Sequence, residues 1–141
     1  MYGPWWNPSL KYVAPILVHA AVNGQPANLD GVFLTSRDDA VDLCYSKDVG
    51  RAIALLQTAE KLNHDVYNVG TGKLTSNREL LETIKSVIPS FKTDLPPGRS
   101  PFSLPMAETK RLHADTGFSP KFDTQSAIQD YVEWLKAGNP K

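Results

Sequence analysis

A single cysteine, Cys44, stands in 141 residues, so no internal disulfide can form and stability has to come from packing. A reducing cytoplasmic compartment is the expectation. Excess charge of either sign is also missing. The chain has 15 Lys and Arg against 15 Asp and Glu, in no long block, which argues against nucleic acid or an anionic membrane surface as a partner. No apolar run approaches membrane length, since the longest, around residues 13–22, is interrupted by Pro15 and His19. No basic-then-apolar leader follows Met1.

Catalytic signatures are equally scarce. His19, His64 and His113 have no spacing that brings two onto one helical face, and Cys44 has no ligand partner, so no metal site is expected. There is no G-x-S-x-G nucleophile turn and no tyrosine followed four residues later by lysine, the pair in which an ammonium lowers the pKa of a phenol. Gly70-Thr71-Gly72 falls short of a dinucleotide fingerprint, because Thr75 stands at the third glycine position and no acidic residue follows at the right distance. Gly72-Lys73 fails as a P-loop, with Tyr67 at the first glycine position and Leu74 in place of the hydroxyl residue. No catalytic residue is assigned.

What is present describes a folded α/β chain. A hydrophobic fraction of 41% is enough for an apolar core, and one unit over residues 1–141 is expected. Residues 1–8, with Gly3, Pro4, Pro8 and the tryptophans Trp5 and Trp6, have the composition of a loop inside a longer architecture. Leu10, Val13, Leu17, Ala20 and Ala21 predict a helix that ends at Asn23-Gly24 and is bent at Pro15. Strands are predicted at Gly31 to Leu34, Asp42 to Tyr45, Asp65 to Val69 and Phe91 to Leu95. A second helix is expected after a Ser46 cap, with Val49, Ala52, Ile53, Leu56 and Ala59 on one face and Asp48 favouring its dipole. Ser76 and Glu79 fit a capping box ahead of the stripe Leu80, Leu81, Ile84, Val87, Ile88. A short helix from about Met106 should stop at Gly117. A last helix opens near Asp123-Thr124, presents Ile128, Tyr131, Val132 and Leu135, and stops at Gly138 with Pro140 behind it. Strands alternating with helices predict parallel pairings joined by helical crossovers.

Three features admit a functional reading beside a structural one. Trp5 and Trp6 either pack on a neighbouring domain or form one wall of an apolar pocket. Trp134 reads as core or partner contact. Arg99, in the stiff loop of Pro96, Pro97, Gly98, Pro101 and Pro105, either holds a phosphate or carboxylate or is simply solvated.

Four segments in register resemble the C-terminal half of the extended short-chain dehydrogenase/reductases, the NAD-dependent epimerase/dehydratase family. Tyr2-Gly3-Pro4 is similar to the Y-G-P after the sixth strand of the cofactor domain. The run from Asp42 through Tyr45 to Asp48-Val49, with Ala52-Ile53, is similar to D-[FY]-x-[YH]-V-x-D-[VL]. Tyr67-Asn68-Val69-Gly70-Thr71-Gly72 with Ser76 and Glu79-Leu80 resembles Y-N-[VI]-G-[ST]-G and S-x-x-E-L. Lys110-Arg111, then Gly117-Phe118-Ser119-Pro120 and a closing helix with Glu133-Trp134, resembles the family's end.

The resemblance implies a Rossmann-like fold of which this chain holds the C-terminal portion, a few parallel strands with substrate-domain helices, the N-terminal dinucleotide-binding domain being absent. It implies NAD or NADP in the intact enzyme and none bound by this chain alone. Substrate contacts would come from Tyr2, Trp5, Asn7, Tyr45 and Arg99, and cofactor contacts from Tyr2 and Pro4. The implied function is the substrate-binding fragment of a sugar-nucleotide epimerase or dehydratase, inactive by itself. Its partners would be the missing cofactor half, or another subunit, and a small-molecule substrate such as a nucleotide-sugar. Two departures loosen the substrate assignment. Val41 stands where such epimerases carry an arginine, and Pro96 stands where a second arginine precedes their P-G step, leaving Arg99 or Arg37 as replacements and another small carbonyl or hydroxyl compound as an alternative substrate. The rival class is a non-catalytic interaction module, or a subunit docking on a separately encoded cofactor half through Trp5, Trp6 and an unpaired sheet edge.

Overall fold

The computed structural model describes residues 1–5, 7 and 10–139, and among them lie five helices and one two-stranded sheet. Trp6 and Pro8 of the expected opening loop, and Pro140 behind the last helix, lie outside the described residues.

Helix α1 (Val13–Asn23) carries Pro15 in its first turn, where a backbone N–H has no intrahelical acceptor, so the helix runs through it. Gly24, at φ 65°, ends it as predicted. Strand β1 (Ala40–Val41) precedes α2 (Ser46–Thr58), whose N-cap is Tyr45 rather than Ser46, with no side-chain bond to the free amides. Strand β2 (Thr75–Ser76) leads straight into α3 (Asn77–Val87), where the Ser76 hydroxyl accepts from the Glu79 amide. That is one half of the expected capping box. Glu79 instead turns its carboxylate towards Lys73 and Thr124. Helix α4 (Lys110–Thr116) starts later than Met106 and stops at Gly117, φ 67°. Helix α5 (Thr124–Lys136) opens on a reciprocal box between Asp123 and Ser126.

The strand expectations are corrected. Strands β1 and β2 pair antiparallel, Ala40 with Ser76 and Val41 with Thr75, and the single parallel pairing among the described residues is an isolated bridge between Tyr2 and Tyr45. Gly31 and Leu34 sit at φ 70° and 55°, left-handed values that break an extended run, so no strand forms there. Residues 42–44 lead to the Tyr45 bridge without joining the sheet, while 65–69 and 91–95 belong to no strand. Each has the right side chains, but a strand exists only where a second backbone exchanges hydrogen bonds with it, and no such ladder forms at these segments among the described residues.

The main core lies between α1, α3 and α5, where Leu17, Val18, Leu80, Ile84, Ile128 and Val132 are fully buried. At about 1.5–3 kcal/mol for each large aliphatic side chain, this is the dominant stabilising term. A smaller cluster of Ala52, Leu112 and Phe118 joins α2 to α4, with Leu55, Leu56, Tyr67 and Val69 against it.

Candidate functional site

The turn at Tyr2-Gly3-Pro4 lies against the entry to α2. The Tyr2 amide donates to the Cys44 carbonyl (3.2 Å) and the Ser46 amide donates to the Tyr2 carbonyl (2.8 Å), a clip that brackets Tyr45 on both sides. Gly3, at φ 123°, is required by the close approach. A Cβ there would stand 2.5 Å from Tyr45 Cε2 and 2.6 Å from Ser46 Oγ. The Tyr45 ring packs between Tyr2 (5.5 Å between centroids) and Phe122 (4.9 Å). Its hydroxyl donates to Asp130 Oδ2 on α5 at 2.5 Å, and Lys47 Nζ donates to Asp130 Oδ1 at 2.6 Å.

These environments decide what the phenols can do. Burial first, then the charges of Cys44 and Asp123, pushes Tyr2 far above the usual phenol range. Burial, followed by the bond to Asp130, does the same to Tyr45. Both stay protonated at neutral pH, so they can shape a wall or donate a hydrogen bond and cannot act as bases. Burial, with Asp48 and Asp42 nearby, pushes the Cys44 thiol up to about 11 and leaves it inert.

Of the residues singled out by sequence, the fold brings Tyr2, Pro4 and Tyr45 together as a buried cluster. Trp5 follows at φ 63°, with 78% of its surface exposed and its ring 5.8 Å from Trp134. Asn7 is exposed and its carbonyl accepts from the Leu10 amide at 3.0 Å. Arg99 is held elsewhere, its Nε donating to the Asp38 carbonyl at 3.1 Å. The proline loop is tied there by Asp38 to Gly98 and Arg37 to Pro96, and by Ser100, whose amide and hydroxyl both donate to the buried Asp39 carboxylate. The groove beside Arg99, lined by Asp39, Ala40, Leu74 and Phe102, encloses only about 60 Å³, far below the roughly 300 Å³ of a small-ligand pocket.

Sequence reasoning missed Asp130, Lys47 and Phe122, and read Trp134 only as core or partner contact. The available signal was that Asp130 and Trp134 stand one turn apart on α5 and therefore share a face. It also missed Asp42. One Asp42 oxygen accepts from the Thr71 amide (2.7 Å) and hydroxyl (2.6 Å), the other from the Gly72 amide (3.0 Å). A Cβ on Gly70 would stand 2.7 Å from that second oxygen. The amides that a pyrophosphate would need are already taken by a carboxylate, so this turn does not fit a dinucleotide. No group of three metal-ligating side chains occurs among the described residues, and no described helix is long and apolar enough to cross a membrane.

No protein-family model matches the sequence. A putative UDP-glucose 4-epimerase of Methanocaldococcus jannaschii is 30% identical over 105 residues, covering 70% of this chain and 32% of that protein. Over part of their length, the chain is similar to the extended short-chain dehydrogenase/reductases, the NAD-dependent epimerase/dehydratase proteins. Solved structures of this family share its fold. The Thermotoga maritima UDP-glucose 4-epimerase with UDP-glucose superposes at TM-score 0.76 and 22% identity, over 97% of this chain and 43% of that one. The Bacillus anthracis dTDP-glucose 4,6-dehydratase in complex with NAD superposes at 0.72 and 20% identity, over 96% and 42%. The chain therefore spans about a third of its curated relative and about two fifths of these structures.

Proposed function

We propose that this chain is the substrate-facing part of an NAD(P)-dependent oxidoreductase of the nucleotide-sugar epimerase/dehydratase type, and that it has no turnover without a dinucleotide-binding half. The observation that carries the reading is the match of 97% of this chain to 43% of a UDP-glucose 4-epimerase, with no Gly-rich fingerprint and no Tyr-x-x-x-Lys pair in the sequence. The glycine turn at Gly70-Thr71-Gly72 supports it further, because the Thr71 and Gly72 amides already donate to Asp42. In this reading Tyr2 and Pro4 form the wall that meets the cofactor half. Tyr2, Trp5, Asn7 and Tyr45 border the substrate, and Arg99 offers a charge from the proline loop. A nucleotide-sugar is the preferred substrate class, and the absence of arginine at Val41 and Pro96 leaves a smaller carbonyl or hydroxyl compound as its competitor.

The test is direct titration of the purified chain with NADH, followed by nicotinamide fluorescence and calorimetry, and an assay with UDP-glucose and NAD. Neither binding nor turnover is expected. Submicromolar coenzyme affinity, or any sugar oxidation by this chain alone, overturns the reading.

One observation favours the second reading, a subunit docking on a separately encoded cofactor half. Residues 65–69 have a strand's side chains and no strand partner among the described residues, and Val66 there is 69% exposed. The DNA immediately ahead of the Met1 codon separates the two: an in-frame Gly-rich motif supports one polypeptide, and a neighbouring gene carrying it supports a split enzyme.

A further inference from the structure

Helix α5 is built into the rigid part of the molecule. Ile128, Tyr131 and Val132 are buried, and the Tyr131 hydroxyl shares a 2.7 Å hydrogen bond with His19 of α1. The other face of the same helix reaches the opening turn at two levels, Asp130 through Tyr45 and, one turn on, Trp134 against Trp5. Among the described residues the backbone bonds of the turn are the two that bracket Tyr45; the Tyr2 side chain is buried in the core, and Gly3 has no side chain to pack. The Tyr45 ring therefore serves as the surface against which Gly3 rests, and that ring is fixed at its far end by the Asp130 carboxylate, which also takes the Lys47 ammonium.

We propose that Asp130 is a positioning residue for the Tyr2-Gly3-Pro4 wall, acting through the Tyr45 phenol, with Lys47 holding the carboxylate in its acceptor orientation. The proposal rests on the reading of that turn as the face towards cofactor and substrate, and it names a residue that touches neither. The chemistry requires an acceptor that is short, charged and mounted on a packed helix. A hydrogen bond to a carboxylate is roughly twice as strong as one between neutral groups, and α5 supplies a fixed origin for it. Asp130 does this while its own side chain stays 30% exposed, so its role is to aim the tyrosine and not to fill the core.

The experiment is residue-resolved amide hydrogen exchange by NMR on the whole chain, unmodified and as Asp130→Ala and Asp130→Asn. In Asp130→Ala the amides of Tyr2 and Ser46, which make the clip, should exchange at least about tenfold faster, while Leu81 and Ile84 in α3 stay within about twofold. Asp130→Asn keeps an acceptor oxygen for the phenol but not the charge, and should restore about half of the lost protection. If Asp130→Ala does not fold, Tyr45→Phe keeps the ring on Gly3, deletes only the hydroxyl, and should open the same two amides. The proposal is overturned if the Tyr2 and Ser46 amides keep their protection. It is equally overturned if every amide accelerates together, since that marks general destabilisation. A chain that bound NADH by itself would remove the functional reading and leave these exchange rates untouched, so the two failures are distinguishable.

Discussion

Replacing Asp48 by alanine should be among the most damaging single changes in this chain. Asp48 sits in the first turn of α2 with only 1% of its surface exposed, and from the sequence its role is limited to the helix dipole. The structure adds the segment before α5. One carboxylate oxygen accepts from the Lys121 amide at 3.0 Å, and the other accepts from the Lys121 and Phe122 amides at 3.1 and 3.0 Å. Arg51 also approaches one of these oxygens at 3.3 Å, and its guanidinium donates to the Ser119 carbonyl and lies over the Phe118 ring. Truncation to alanine leaves two partly buried amides without an acceptor, at about 1–3 kcal/mol each, and removes the charge-assisted bonds. The expected loss is roughly 3–5 kcal/mol, a large share of the roughly 5–15 kcal/mol of an ordinary domain. With a urea slope of about 1–3 kcal/mol/M, the unfolding midpoint followed by far-ultraviolet circular dichroism should fall by at least about 1 M. Asp48→Asn, which retains one carbonyl acceptor, should lose about half as much. An alanine variant within about 1 kcal/mol of the parent would refute the idea that these bonds staple α5 to α2.

Gly3→Ala should cost roughly 2–4 kcal/mol, from a left-handed φ and the collision with Tyr45, and a variant with an unchanged melting temperature would contradict the close approach. With its thiol pushed up to about 11, Cys44 should be alkylated by iodoacetamide at pH 8 roughly a hundredfold more slowly in the folded chain than in urea. Equal rates would show that the site is open. The Tyr67 phenol, then the Asn63 side chain and amide, hold the Asp115 carboxyl down at about 2. Because this is below its value of about 3.9 in the unfolded chain, the contribution is complete above about pH 4 and is lost as pH falls towards 2. Melting temperature should therefore drop in that window, and Asp115→Asn should shallow the drop. An identical acid profile for the variant would exclude the mechanism.

The sequence by itself determined what local chemistry determines. Helix α3 was legible because Ser76 satisfies an amide of its own first turn, and α1 and α4 ended at Gly24 and Gly117 because only a residue tolerant of positive φ closes a helix there. The likeness to the epimerase/dehydratase family was legible from short motifs in register. Tertiary structure alone decided the rest. Residues 65–69 carry a strand's side chains and form no strand, because a ladder needs a second backbone that no local pattern supplies. The partners of Asp42, Asp48 and Tyr45 are 29, 73 and 85 positions away in the chain. A buried carboxylate or phenol is satisfied by whichever donor or acceptor the packing delivers, and that delivery is set by where α5 and the loops come to rest on the core.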